Sequence, residues 1–161
     1  MSIFSQDRCL MWLRKTPVLL SALLRDVTDE QAHTMTDGPD GWTVTEAMCH
    51  MRDLEVLTQK RVEAILTLDS PILPSIDLVG LPKERDYPNQ NLKSEFSAYV
   101  AMRKELVEKL AGVPEELWTR TGTHPTYGEM TLYDVAAHTA LHDVNHIEQI
   151  TRTLKLSEAV I

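Results

Sequence analysis

Four stretches in which apolar residues recur every three or four positions, separated by proline- and glycine-rich breakers, leave this chain few options other than a bundle of helices. The first covers about residues 5–29, with Leu10, Leu13, Leu20, Leu23, Leu24 and Val27 at near-helical spacing. Thr16-Pro17 interrupts it. Proline lacks an amide and crowds the preceding turn, so a kink, or a fresh start capped by Thr16, is expected there. Beyond the breaker Asp37-Gly38-Pro39-Asp40-Gly41, the second stretch opens with Thr43-Val44-Thr45-Glu46 and runs to about residue 68. That opening is a capping box, in which the threonine hydroxyl takes an amide three residues on and the glutamate reaches back.

Residues 69–91 carry Pro71, Pro74, Pro82 and Pro88 plus Gly80. A segment of this length is a crossover or the cover of a binding site rather than a tight turn. The third helical stretch spans about 92–111, and Pro114-Glu115-Glu116-Leu117-Trp118 reads as one short turn of helix. A loop over 121–130 contains His124 and Gly128, and nothing there reads as a strand. Thr131 and Asp134 cap the fourth stretch, which continues to about 154. The expectation is an all-α chain: an antiparallel four-helix bundle with one long crossover connection, forming a single domain over 1–161.

Composition limits what such a bundle does. The 161 residues suffice for one full core, and a formal net charge of -8 repels phosphate backbones, so nucleic acid is not an expected partner. No run approaches the roughly 18–20 apolar residues that cross a bilayer, and the N-terminus lacks the basic-then-apolar form of a signal peptide. No membrane association is expected. Two cysteines, Cys9 and Cys49, are too few for a disulfide framework and suit a reducing cytoplasm, where they serve as small buried hydrophobes.

Six histidines remain: His33, His50, His124, His138, His142 and His146. Three lie four apart on the fourth helix, where Cβ atoms at that spacing are about 5–6 Å apart on one face. Two imidazoles so placed can converge on one ion. The apolar centre of this helix, set by Leu132, Ala136, Ala140, Val144, Ile147, Ile150 and Leu154, lies roughly 80° from His146, 120° from His142 and 160° from His138. His142 and His146 therefore border the core, and His138 points most nearly to solvent. On the second helix His50 sits roughly 80° from the apolar centre, the same kind of rim position, and supplies a third ligand.

Other chemistries fit less well. His142-Asp143-Val144-Asn145-His146 differs from the zinc-protease pattern in having the shorter Asp143 where a glutamate acts as base. A di-iron carboxylate bundle wants two Glu-x-x-His motifs, and Ala47 and Thr139 stand where those glutamates would be. Cys49 diverges from His50 by about 100° and does not share its ion. Asp53 and Asp143 are candidates for proton transfer or for fixing an imidazole. Gln149 is a candidate to orient His146, Arg61 reads as a structural ion-pair partner, Trp42 and Trp118 as packing residues, and His124 as a turn residue.

Three segments together resemble the DinB-like (YfiT-like) four-helix metalloproteins. They are Gly41-Trp42-Thr43-Val44-Thr45-Glu46-Ala47-Met48-Cys49-His50 with Asp53 and Glu55; Thr123-His124-Pro125 with Gly128, Thr131 and Leu132; and His142-Asp143-Val144-Asn145-His146-Ile147-Glu148-Gln149-Ile150. The likeness runs over about residues 8–154. It implies a three-histidine centre mapping onto His50, His142 and His146, a divalent transition metal there, and frequent pairing as a homodimer. Family members are similar to transferases and isomerases that use low-molecular-weight thiols such as bacillithiol or mycothiol. The expected chemistry is thiol transfer to a small-molecule electrophile. Metal-assisted hydrolysis of a small molecule, and a non-catalytic metal- or ligand-binding role, are the alternatives. Imidazole ligands suit zinc, nickel, copper or iron, with zinc and nickel first.

Overall fold

A computed structural model describes residues 5–156. Its long helices are α1 (Gln6–Leu24), α3 (Val44–Thr67), α5 (Leu92–Ala111) and α6 (Leu132–Thr153), with the short helices α2 (Asp29–Thr34) and α4 (Gly80–Glu84) between them. A four-helix bundle with one long crossover connection is what the sequence pattern predicts. Around the bundle α3 packs on α5 and α6, and α1 on α5 and α6.

Two core clusters fix the directions. One joins Cys9 and Leu13 near the start of α1 with Val62 and Ile65 late in α3, Leu106 and Leu110 late in α5, and Leu132 and Val135 early in α6. The other joins the late part of α1, through Leu20, with Val44 and Met48, Leu92, and Ile150. Thus α1 and α6 run one way, and α3 and α5 the other. Because α3 and α5 are neighbours running in the same direction, the chain between them must travel back along the whole bundle. This explains the length of the 69–91 connection.

The capping boxes at Thr43/Glu46 and Thr131/Asp134 form as expected, and a third, Thr28/Gln31, starts α2. The first stretch differs from its reading. Ser5 caps α1, which runs unbroken through Pro17 and stops at Leu24, and α2 is a separate element. Proline deprives the Leu13 carbonyl of its usual amide donor. The Arg103 Nη1 group donates to that carbonyl at 3.3 Å instead. Thr16 is no cap: it is buried, and its hydroxyl donates to Asp143 at 2.7 Å.

The 121–130 segment is also different. Thr121–His124 (β1) and Gly128–Thr131 (β2) form an antiparallel hairpin. The crossover joins it: Leu73 N donates to Thr123 O and Thr123 N to Pro71 O, both at 2.8 Å. Gly122 permits this approach, since a Cβ there would lie 2.6 Å from the Leu73 side chain. The short turn expected near 114–118 is a 3-10 helix over Glu115–Thr119. Farther along, Asp53 on α3 accepts from Tyr87 Oη at 2.6 Å and from Arg85 at 2.7 Å. The crossover is thereby pinned on the bundle at both ends. No helix among the described residues is long and apolar enough to cross a membrane.

Candidate metal centre

The capping box at Thr43 sets where α3 begins, and so sets the rotational phase of His50 seven residues on. The box at Thr131 does the same for His142 and His146. The structure brings these three imidazoles together. His142 Nε2 lies 2.9 Å from His50 Nε2 and 3.1 Å from His146 Nε2, and one ligand atom from each residue falls within 4.8 Å of the others. His50 is buried, and the other two are half-buried.

Nitrogen atoms held at about 2.0–2.1 Å from a common ion stand roughly 2.9–3.4 Å apart for octahedral to tetrahedral angles. The two short separations match that range. The donor set also matches in its protons. Gln149 Oε1 lies 2.7 Å from His146 Nδ1, so that nitrogen donates and the Nε2 lone pair faces the centre. His142 Nδ1 is buried and unpartnered. Trp42 packs on the rim, with its ring 4.9 Å from that of His50 and 6.4 Å, nearly parallel, from that of His146.

Burial keeps these rings uncharged. Desolvation, then the neighbouring His146, lowers the His50 pKa to about 4. Desolvation, followed by His146, His50, His138 and Arg103, lowers that of His142 to about 2. Burial also lowers His146, against the pull of Gln149 and Asp143. The three neutral imidazoles meet at Nε2, and by choice of tautomer each can present a lone pair to a shared ion. They could hold a divalent transition ion without first losing protons.

The sequence-derived expectations for the surrounding residues fare unevenly. Gln149 stands where an orienting partner should. Cys49 faces away, its thiol donating to Tyr87 O at 4.0 Å, and burial raises the pKa values of Cys9 and Cys49 to about 11 and about 12. Neither carboxylate touches the imidazoles: Asp53 anchors the crossover, and Asp143 is buried against Arg103, Tyr99 and Thr16. Trp118 is fully buried packing, but its indole Nε1 has no partner.

His138 does not project into solvent. It is half-buried, 5.1 Å from the Tyr127 ring, and lines a cavity with His142. The helix-wheel centre was misplaced because Val144 is 50% exposed while Asp143 is 1% exposed. An apolarity count cannot anticipate a buried charge. His124 ends β1 and is 5% exposed, so it is no mere turn residue. Arg61 makes no ion pair: it donates to Pro74 O and to His124 Nε2, each at 2.9 Å.

The cavity beside His50 and His142 measures about 230 Å³. Its walls come from α3 (His50, Arg61), α6 (His138, His142), the hairpin (His124, Tyr127) and residues 75, 76 and 78 of the crossover. The long connection therefore does cover the site.

Fold and centre together define a helical bundle with a trihistidine cluster at the rim of its core. The chain belongs to the DinB superfamily, whose profile matches residues 13–150. A Bacillus pumilus protein named "Putative metal-dependent hydrolase" is 24% identical over 147 residues, covering 91% of this chain and 83% of that protein. One of the same description from Oceanobacillus iheyensis is 25% identical over 139 residues, 86% and 80% of the respective chains. Among solved structures, YfiT from Bacillus subtilis, described as a probable metal-dependent hydrolase with an unusual four-helix bundle topology, superposes with a TM-score of 0.87 at 21% identity, covering 97% of this chain and 89% of that one. The mycothiol-dependent maleylpyruvate isomerase superposes with a TM-score of 0.75 at 11% identity, over 91% of this chain and 60% of that longer one. These superpositions establish a shared fold.

Proposed function

We propose that this protein is a metal-dependent enzyme in which His50, His142 and His146 hold a divalent transition ion, zinc or nickel foremost, and in which a low-molecular-weight thiol is transferred to a small electrophile. The observation that carries the reading is the convergence of three uncharged imidazoles, two of which, His50 and His142, line a cavity. An ion held there by three neutral ligands would keep its full charge and would supply the Lewis acidity that lowers the pKa of a thiol or a water. The protein's own contribution is to fix the ring orientations through Gln149 and to exclude bulk water with Trp42 and the crossover.

The cavity lining favours a thiol over water as nucleophile. No aspartate or glutamate is among the lining residues. Hydrolysis profits from a base that takes a proton from the attacking water, whereas a thiol at such a centre needs none. In the transfer, the thiol sulfur forms a bond to the electrophilic carbon, the bond from that carbon to its leaving group breaks with both electrons going to that group, and the thiol proton passes to solvent.

Metal-assisted hydrolysis is the second reading. It is favoured by the names of the two sequence relatives and by His138, a half-buried imidazole beside His142 that could accept a proton. Metal analysis of protein purified without a polyhistidine tag tests the centre: one equivalent is expected in the wild type and none above background in His142→Ala. Product analysis with and without added thiol tests the reaction. Turnover that needs no thiol rejects transfer and leaves hydrolysis.

A further inference from the structure

Arg61 is 3% exposed and yet has no carboxylate partner among the described residues. It follows His50 by three helical turns on the same face of α3, and helix side chains lean toward the N-terminus, so it reaches back toward His50 along the wall of the cavity. Its Nε donates to Pro74 O and its Nη2 to His124 Nε2, neither of them a charged acceptor, and Arg61 is one of the residues that line the cavity. An arginine buried without a counter-charge is expensive to keep.

The neighbouring His124 sharpens the point. A guanidinium only donates, so His124 Nε2 must accept, and the single ring proton then sits on Nδ1. Yet Nδ1 faces the backbone amides of Thr126 at 3.1 Å and Tyr127 at 3.3 Å. Whichever nitrogen holds the proton, one donor points at another. The cluster is short of acceptors, in a cavity with no acidic side chain in its walls.

We propose that Arg61, held in place by His124 and Pro74, forms an oxyanion subsite that receives the carboxylate of a reactant whose other end engages the three-histidine centre. This rests on the metal reading given above. A carboxylate would supply the missing acceptors, and the planar fork of arginine suits it. At about 230 Å³ the cavity takes a short compound, or one end of a longer one.

The test uses cobalt-loaded full-length protein and the thiolate-to-cobalt absorption band. Binding of mercaptoacetate, 3-mercaptopropionate and 4-mercaptobutyrate is compared with that of the matching hydroxyl-terminated thiols. At least one carboxylate length should bind about tenfold or more tightly than its neutral counterpart, the difference expected of one charge-assisted contact. Arg61→Gln should abolish that preference while cobalt content and neutral-thiol binding stay unchanged, and Arg61→Lys should retain part of it.

A second arm adds propionate to the 2-mercaptoethanol complex. An Arg61-dependent tightening there places the carboxylate on the second reactant, and a preference within the thiol series places it on the thiol. Absence of both effects in the wild type, or a preference that survives in Arg61→Gln, overturns the subsite. Failure of the wild type to take up cobalt overturns the metal reading and this proposal with it.

Discussion

Helices α3 and α6 each contribute to two buried polar clusters, one self-sufficient and the other incomplete. Arg103 donates to Glu55 at 2.9 and 2.6 Å and to Asp143 at 2.6 Å, and Asp143 also accepts from Thr16 and Tyr99. Burial alone would lower the Arg103 pKa, but the Glu55 hydrogen bonds and the Asp143 charge overrule it and hold the pKa above its ordinary value. This cluster needs nothing from outside. The imidazoles of His50, His142 and His146 instead turn like atoms toward one another. Neighbouring positions on one helix, His142 and Asp143, thus serve opposite ends: Asp143 closes a structural network, and His142 leaves a valence open. Buried polar groups that satisfy one another stabilise the fold, and those that do not mark where a ligand belongs.

The largest expected effect separates the clusters by stability. Arg103→Met leaves two buried carboxylates uncompensated and should cost about 3–5 kcal/mol in urea denaturation. His142→Ala in metal-free protein removes only contacts between neutral imidazoles, to His50 at 2.9 Å and His146 at 3.1 Å, and should cost far less. Equal losses would erase the distinction.

Next comes acid. The folded His50 pKa is lowered to about 4, so between that value and the ordinary 6.5 the unfolded chain binds a proton that the folded one refuses. Stability of the metal-free protein is therefore complete above pH 6.5 and falls as pH drops through this window, by about 3 kcal/mol at pH 4 from this residue. His50→Leu should flatten that part of the pH–stability curve. An unchanged slope would show that His50 titrates normally.

The smallest effect concerns ring orientation. Gln149→Leu removes the acceptor at His146 Nδ1 and should weaken metal binding about 10–100-fold, by competition with a chelator, without changing stoichiometry. No change in affinity would mean that the hydrogen bond is incidental.

The helices were legible because apolar spacing, capping boxes and breakers all pointed the same way, and the bounds of α5 and the start of α3 follow from them. Rim positions on two helices were enough to single out His50, His142 and His146 as residues that could meet. What the pattern could not convey is pairing between distant polar groups. Asp143 looked like a companion of the histidines because it adjoins His142 in sequence, but its partner Arg103 lies on another helix. That same arginine donates to the Leu13 carbonyl that Pro17 leaves without its amide, so a residue 86 positions away in the chain supplies what the local pattern lacks. The hairpin was missed because its four-residue strands, Thr-Gly-Thr-His and Gly-Glu-Met-Thr, lack apolar alternation. The sequence suggests an ion pair for Arg61, and only the three-dimensional arrangement shows it without a carboxylate among the described residues.

The return path of the chain from α3 to α5 has a consequence for how such proteins diversify. With 24 residues, α3 is about 36 Å long. Residues 68–91 could stretch to roughly 80 Å, about twice what the traverse requires. Leu73 and Tyr87 pack into the bundle near its two ends, and residues 75, 76 and 78 between them lie over the cavity. Changes of length or side chain between those two anchors can reshape the roof of the cavity while the histidine-bearing walls stay as they are.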